Sequence, residues 1–160
     1  MHSLIAVDPG LRHCGIAYFY KGILGYAGLV RNPETTARGA RAWIAMARAV
    51  AARIQRFDWE KGVVEDQEQY EGASNRVNRA DLTELAHVAG AVALVLGARG
   101  SDVESPLPKQ WKGQLPKDVC NRRIEAKLTP LEAVVIEREG ALTHNIIDAV
   151  GLGLWALKRF

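Results

Sequence analysis

The sequence predicts a mixed α/β protein, a single sheet covered by helices. Three observations carry that reading. Three apolar runs near the N-terminus are separated by two short turn signals. Two long stretches with helical spacing then alternate with a further apolar run over 61–65 and a short strand candidate over 102–105. The chain has 160 residues, the length of one domain with one sizeable core.

Residues 3–8 read as a buried strand, apolar until Asp8. After the turn Asp8-Pro9-Gly10, residues 14–20 form a second strand of alternating small and aromatic side chains. A tight turn at Lys21-Gly22 leads to a third strand over 23–30. Two short connections in succession predict an antiparallel meander. Asn32-Pro33 then offers an N-cap followed by proline at the first helical position, and 37–57 reads as a long helix with Ile44, Ala47, Ala51 and Ile54 at helical spacing. Residues 61–65 are a fourth strand, and Gly72-Ala73-Ser74-Asn75 is a flexible connection. A second long helix over 80–99 carries the stripe Leu82, Leu85, Ala89, Val92, Val95 and Leu96. Its small residues Ala89, Gly90 and Ala93 suit close packing, within the core, across a dimer, or both. Residues 102–105 form a short fifth strand and 106–113 an ordered loop. Helices follow over 117–127, 130–138 and 146–158. No repeat, low-complexity tract or linker divides residues 1–160, so one mixed sheet flanked by helices is expected.

Composition narrows the function classes. The longest apolar-rich stretch, 88–98, is too short to span a bilayer. The N-terminal run lacks a basic lead and ends in Asp8, unlike a signal peptide, so a cytoplasmic location is expected. Cys14 and Cys120 are the only cysteines and match no zinc-ligand spacing, which predicts free thiols. The net charge of +3 and an isoelectric point of about 9.0 permit nucleic-acid binding without requiring it. Charge distribution says more. Segment 58–71 is acidic, whereas 106–127 carries Lys109, Lys112, Lys117, Arg122, Arg123 and Lys127. An acidic pocket beside a basic surface suits a metal-dependent nuclease.

Three acids stand at the ends of apolar runs. Asp8 closes Leu4-Ile5-Ala6-Val7, and Glu65 closes Gly62-Val63-Val64. Asp148 precedes Ala149-Val150-Gly151-Leu152-Gly153-Leu154-Trp155, a helix apolar on most sides and therefore buried. Each has a plainer alternative: Asp8 as a turn residue, Glu65 as the start of a solvated loop, and Asp148 as an acid near a helix N-terminus capped by Asn145. Together, three converging carboxylates would repel one another unless a divalent cation lay between them. That points to Mg²⁺ and phosphodiester chemistry.

The run from Ile5 to Gly15 is similar to the first motif of the RuvC-type Holliday junction resolvases. Val63-Val64-Glu65 and His144-Asn145-Ile146-Ile147-Asp148-Ala149-Val150-Gly151 are similar to later motifs, and Pro106 to Lys112 resembles the basic loop between them. Order and spacing agree over nearly the whole chain. The resemblance implies a ribonuclease H-like fold, with a five-stranded mixed sheet flanked by helices, and a homodimer that nicks opposed strands of four-way DNA. It makes Asp8, Glu65 and Asp148 three of four acidic ligands of two Mg²⁺ ions, with Mn²⁺ able to substitute. The host is expected to be a prokaryotic or phage-infected cell, and a branch-migration helicase is a conceivable partner that the sequence does not identify.

The fourth ligand of that family is an Asp or His, and here the position is Asn145. The amide keeps the shape and loses the charge, so metal affinity should fall. His144 or an outer role for Asn145 compensates, or the chain is weakly active. The third alternative is that Asn145 is an engineered replacement of Asp. For DNA contacts the candidates are Arg76, Arg79, Lys109, Lys112, Lys117, Arg122 and Arg123, each of which is otherwise a solvated surface cation. Tyr70 is either a base stacker at the crossover or a core-edge aromatic. Trp111 is expected to anchor its loop. Rival readings are a related nuclease acting on RNA or branched DNA, and a junction-binding protein that does not cut. An ATP-binding protein of the actin-like fold is more distant, since no glycine-rich phosphate loop is present.

Overall fold

A computed structural model of the chain describes residues 3–67 and 79–160. The first three strands, β1 (Ser3–Asp8), β2 (His13–Tyr20) and β3 (Ile23–Arg31), form the expected antiparallel meander. Lys21 and Gly22 both take positive φ, 51° and 78°, which matches the right-handed twist of a two-residue hairpin. Helix α1 (Gly39–Ile54) then leads to β4 (Lys61–Val64), which lies parallel to β1. Helix α2 (Arg79–Gly97) leads to β5 (Asp102–Glu104), parallel to β4. The sheet order is β3-β2-β1-β4-β5. Short helices α3 (Pro108–Trp111), α4 (Lys117–Ala126) and α5 (Pro130–Val134) precede the buried α6 (Thr143–Ala156).

The strand period of two sorts the side chains into two cores. Ile5, Val7, Cys14, Ile16 and Val64 face α1 and α2, packing against Met46, Val50, Val88, Val92 and Leu96. Leu4, Ala6, Ala17, Phe19 and Val63 face α6, packing against Ile146, Val150, Leu152 and Leu154. Close approach of α6 requires glycine. A Cβ on Gly15 would overlap the backbone carbonyl of Asn145, and one on Gly153 would overlap the Phe19 ring.

Several local expectations are corrected. Asn32 is not a helix N-cap. It is buried, its amide donates to the carbonyls of Leu11 and Ala42, both at 2.8 Å, and its Oδ1 accepts the Glu34 N–H. The helix begins later, at Gly39, whose N–H donates to Glu84 Oε1 of α2 at 3.2 Å. The buried stripe of α1 is Ala42, Met46, Ala47, Val50 and Ile54, and Ile44 faces out. Spacing alone set the stripe slightly off, because the sheet and α2 both bury this helix. In α2, Val88 joins Ala89, Val92 and Leu96 in the core, while Gly90 meets open space. The loop over 106–113 contains α3. The helix expected over 130–138 stops at Val134, because Ile136 instead bridges to Ala27 on the edge of β3. Asn145 lies inside α6, whose N-cap is Leu142. The connection expected at 72–75 lies outside the described residues. Among the described residues, no helix is long and apolar enough to cross a membrane.

Candidate active site

The two strand-end acids arrive on one face for a simple reason. Asp8 continues the row Leu4-Ala6, and Glu65 continues the row of Val63, both rows facing α6. β1 and β4 are parallel neighbours, with Val7 opposite Val64, so both rows end at the same rim of the sheet. Asp148 meets them there from α6. It is one of the few charged residues in the core, 7 % exposed, as is Glu65. The helix lies close enough for this because Gly15, the cross-strand partner of Asp8, has no side chain.

Their charges are felt. Burial first, then the negative charges of Asp148 and Glu65, push the Asp8 carboxyl well above the usual carboxylate range. Lys112 and Lys117 oppose that shift. Lys112 Nζ stands 2.8 Å from Glu65 Oε1, and Lys117 Nζ stands 3.6 Å from Asp148 Oδ2. Burial alone would lower the Lys112 ammonium, but Glu65, Asp148 and Asp8 outweigh it and raise it.

Trp111 completes the arrangement. Its indole N–H donates to Glu65 Oε1 at 2.9 Å. The ring is buried against α6, where a Cβ on Gly151 would crowd it, and it lies near Phe160 at a centroid distance of 6.3 Å. The expected loop anchor is therefore also a hydrogen-bond donor to a site carboxylate. Cys14 sits beneath the same rim, with its Sγ 3.3 Å from the Gly10 N–H, and burial pushes its thiol up to about 12. Cys14 and Cys120 are both free and buried.

The structure thus brings Asp8, Glu65 and Asp148 together with Lys112 and Lys117. Asn145 lies one turn before Asp148 and is half-buried, and His144 turns its Nδ1 to the Ala141 carbonyl at 2.7 Å. Lys109, Lys112, Arg123 and Lys127 line a cleft of about 750 Å³ floored by Trp111 and Phe160. Arg122 faces solvent and pairs with Asp118 at 2.9 Å, apart from that lining. Arg79 is the first residue of α2. Tyr70 and Arg76 lie outside the described residues. Gly15 and Gly151, which bring α6 and Trp111 to the acids, were not singled out by sequence reasoning. The only signal for either was a glycine within an otherwise apolar element.

Hard oxygen donors of this kind would suit Mg²⁺, and the raised Asp8 carboxyl reflects its burial first and its two acidic neighbours second. Among the described residues, however, no three His, Cys, Asp or Glu side chains are drawn together tightly enough to hold a metal ion. As they stand, Lys112 and Lys117 supply the compensating charge.

No family model matches the chain, and no curated protein matches it. Solved structures do. Thermus thermophilus RuvC in complex with a Holliday junction substrate matches over 96% of this chain and 91% of that one, with a TM-score of 0.68 and 18% identity. A structure of Thermus thermophilus RuvC matches over 98% and 95%, with a TM-score of 0.63 and 18% identity. The yeast mitochondrial Holliday junction resolvase matches over 98% and 81%, with a TM-score of 0.64 and 11% identity. Strand order, helix placement and these matches together establish that the chain has the ribonuclease H-like fold of the RuvC-type resolvases.

Proposed function

We propose that the chain is a structure-selective endonuclease that resolves four-way DNA junctions by paired symmetric nicks, acting as a homodimer. The convergence of Asp8, Glu65 and Asp148 on one rim of this fold carries the reading. The match to a RuvC bound to a Holliday junction supports branched DNA as the substrate. In this reading Asp8, Glu65 and Asp148 are the residues that would hold two Mg²⁺ ions, with Asn145 as a weak neutral partner, once drawn closer together than they stand here. When bound, the ions supply charge neutralisation at the scissile phosphate and a more acidic water. Glu65 is oriented by Trp111, and Asp148 by its place in a buried helix turn. Lys112 and Lys117 exchange their carboxylate partners for phosphate oxygens as substrate arrives. Lys109 and Arg123, in the adjoining cleft, hold the backbone. The products are a 5′-phosphate and a 3′-hydroxyl.

A second reading, a junction binder that does not cut, is favoured by Asn145 and by the lysines already seated on Glu65 and Asp148. A nicking assay on a labelled four-way junction with Mg²⁺ separates the two. It compares the chain as it stands with Asn145→Asp and Glu65→Gln. Paired nicks from Asn145→Asp, few from the unaltered chain and none from Glu65→Gln are expected. Equal cutting by the unaltered chain and Asn145→Asp makes Asn145 a tolerated ligand. No cutting by any form, with tight junction binding, establishes the binder instead.

A further inference from the structure

The cleft that adjoins the carboxylates has two unlike surfaces. Its floor is apolar, formed by Trp111, Leu115, Ala126 and Phe160. Its rim is cationic, with Lys109, Lys112, Arg123 and Lys127, and among the described residues no acid lines it. Its volume of about 750 Å³ lies within the range of pockets that enclose a small molecule or cofactor.

A phosphate needs only the rim. The aromatic floor suits a second partner, the flat face of a nucleobase. Trp111 does not offer its face, since it is 5% exposed and Lys112 Nζ lies 4.8 Å from its ring centroid. Phe160 is only half-buried, and its ring stands at 53° to that of Trp111 with the centroids 6.3 Å apart. Phe160 is therefore the ring left for a base. Arg123 and Lys127 lie one turn apart at the end of α4 and share a face. Neither side chain has an acidic partner among the described residues, so both are available to phosphate oxygens.

In a duplex each base face is covered by its neighbours, so a recessed ring meets a base only after unstacking. A branch point, where stacking is interrupted, offers such a nucleotide.

Two shared residues tie this cleft to the carboxylates. Lys112 lines it and pairs with Glu65 Oε1 at 2.8 Å. Trp111 lines it and donates to the same oxygen at 2.9 Å. A nucleotide seated here is held one side chain away from Glu65.

We propose that this cleft takes an unstacked nucleotide next to the exchange point of the junction, with its base on Phe160 and its phosphate on Arg123 and Lys127. The inference rests on the nuclease reading above and adds a base contact to the backbone grip. Two measurements without divalent ions test it. In the first, junctions carrying 5-iododeoxyuridine at single positions along each arm are irradiated with the unaltered chain, and the cross-linked residue is identified by mass spectrometry. In the second, fluorescence anisotropy over a series of KCl concentrations compares a four-way junction with a linear duplex. The proteins are the unaltered chain, Phe160→Leu, Phe160→Tyr and Arg123→Gln. A cross-link to Phe160 is expected from a position next to the exchange point and from none further along the arms. Phe160→Leu should weaken junction binding roughly tenfold, with the slope of log K against log [salt] unchanged, and should leave duplex binding as it is. Phe160→Tyr should bind both as the unaltered chain does. Arg123→Gln should reduce the junction slope by about 1. The cross-link needs no substitution, so it is decisive even where Phe160→Leu fails to fold. Cross-linking that avoids Phe160 at every position overturns the cleft and leaves the nuclease reading standing. Equal weakening of junction and duplex by Phe160→Leu also overturns it. Binding of thymidine 5′-monophosphate that Phe160→Leu abolishes, with junction binding untouched, overturns it in favour of a free nucleotide. No junction binding by the unaltered chain defeats the nuclease reading itself.

Discussion

Trp111 and Glu65 are 46 residues apart and joined by a 2.9 Å hydrogen bond, indole N–H to carboxylate Oε1. Lys112 donates to the same oxygen at 2.8 Å. Neighbouring residues of one short helical segment therefore orient a site carboxylate and balance its charge.

Replacing Trp111 with Phe keeps the ring and removes the N–H. If Glu65 holds a metal as proposed, loss of this outer hydrogen-bond partner should weaken the metal by roughly tenfold to a hundredfold. The Mg²⁺ concentration giving half-maximal nicking should rise by that order, measured in the Asn145→Asp background. An unchanged Mg²⁺ dependence would show that the hydrogen bond only anchors the loop.

Lys112→Met should destabilise the metal-free protein, since it leaves Glu65 without its ion-pair partner and removes one of the two cations near Asp8. Removing one partner of a buried pair costs about 3–5 kcal/mol; with Lys112 26% exposed, roughly 2 kcal/mol is expected here. Added Mg²⁺ should raise the melting temperature of the variant more than that of the unaltered chain. The same Mg²⁺ response in both would show that lysine and metal do not compete for these carboxylates.

Gly15→Ala places a methyl group against the Asn145 carbonyl. The backbone of α6 has to move away, and overpacking of this kind costs about 1–3 kcal/mol. Nicking in the Asn145→Asp background should fall more than stability does, because the shift carries Asp148 away from Asp8. Urea titration and nicking rate, measured together, read both. Full activity in a destabilised variant would mean that the acids tolerate the displacement.

Glu132 gives the fold an acid-sensitive joint away from the site. It is 1% exposed and accepts hydrogen bonds from Arg159, Leu24 N–H and Thr129. The Arg159 hydrogen bonds lead in lowering its carboxyl to about 2, against the opposing effect of burial. A depressed carboxylate contributes stability above its unfolded pKa and loses it as pH falls through the folded one. The contribution, about 3 kcal/mol at 1.36 kcal/mol per unit, should be complete above roughly pH 4.5 and should fade toward pH 2. The stability gap between the unaltered chain and Glu132→Gln should close over that window. A gap constant with pH would assign the joint to packing.

The first four strands were legible because each is a short apolar run with a turn signal at its end, and period two does not depend on distant partners. The same regularity made Asp8 and Glu65 visible as acids at the ends of buried strands. Helix boundaries were less legible. Asn32 has the chemistry of a cap, but its amide is used to tie the Leu11 carbonyl to that of Ala42 in α1. Ile136 has the chemistry of a helix residue and serves as an edge bridge. In both cases a partner remote in sequence outbids local preference.

The sequence by itself determined the meander, the alternation of helices and strands, and the three acids with a buried Asp148 among them. It did so because hydrophobic period and burial are written locally. Tertiary structure alone decided that Asp8 and Glu65 end on the α6 face and that Gly15 admits the helix carrying Asp148. It also decided that Lys112 and Trp111 share one oxygen of Glu65, and that both line a cleft with Arg123 and Phe160. Those relations depend on which strands become neighbours and how closely a helix lies on them, and both are set by packing across the whole chain.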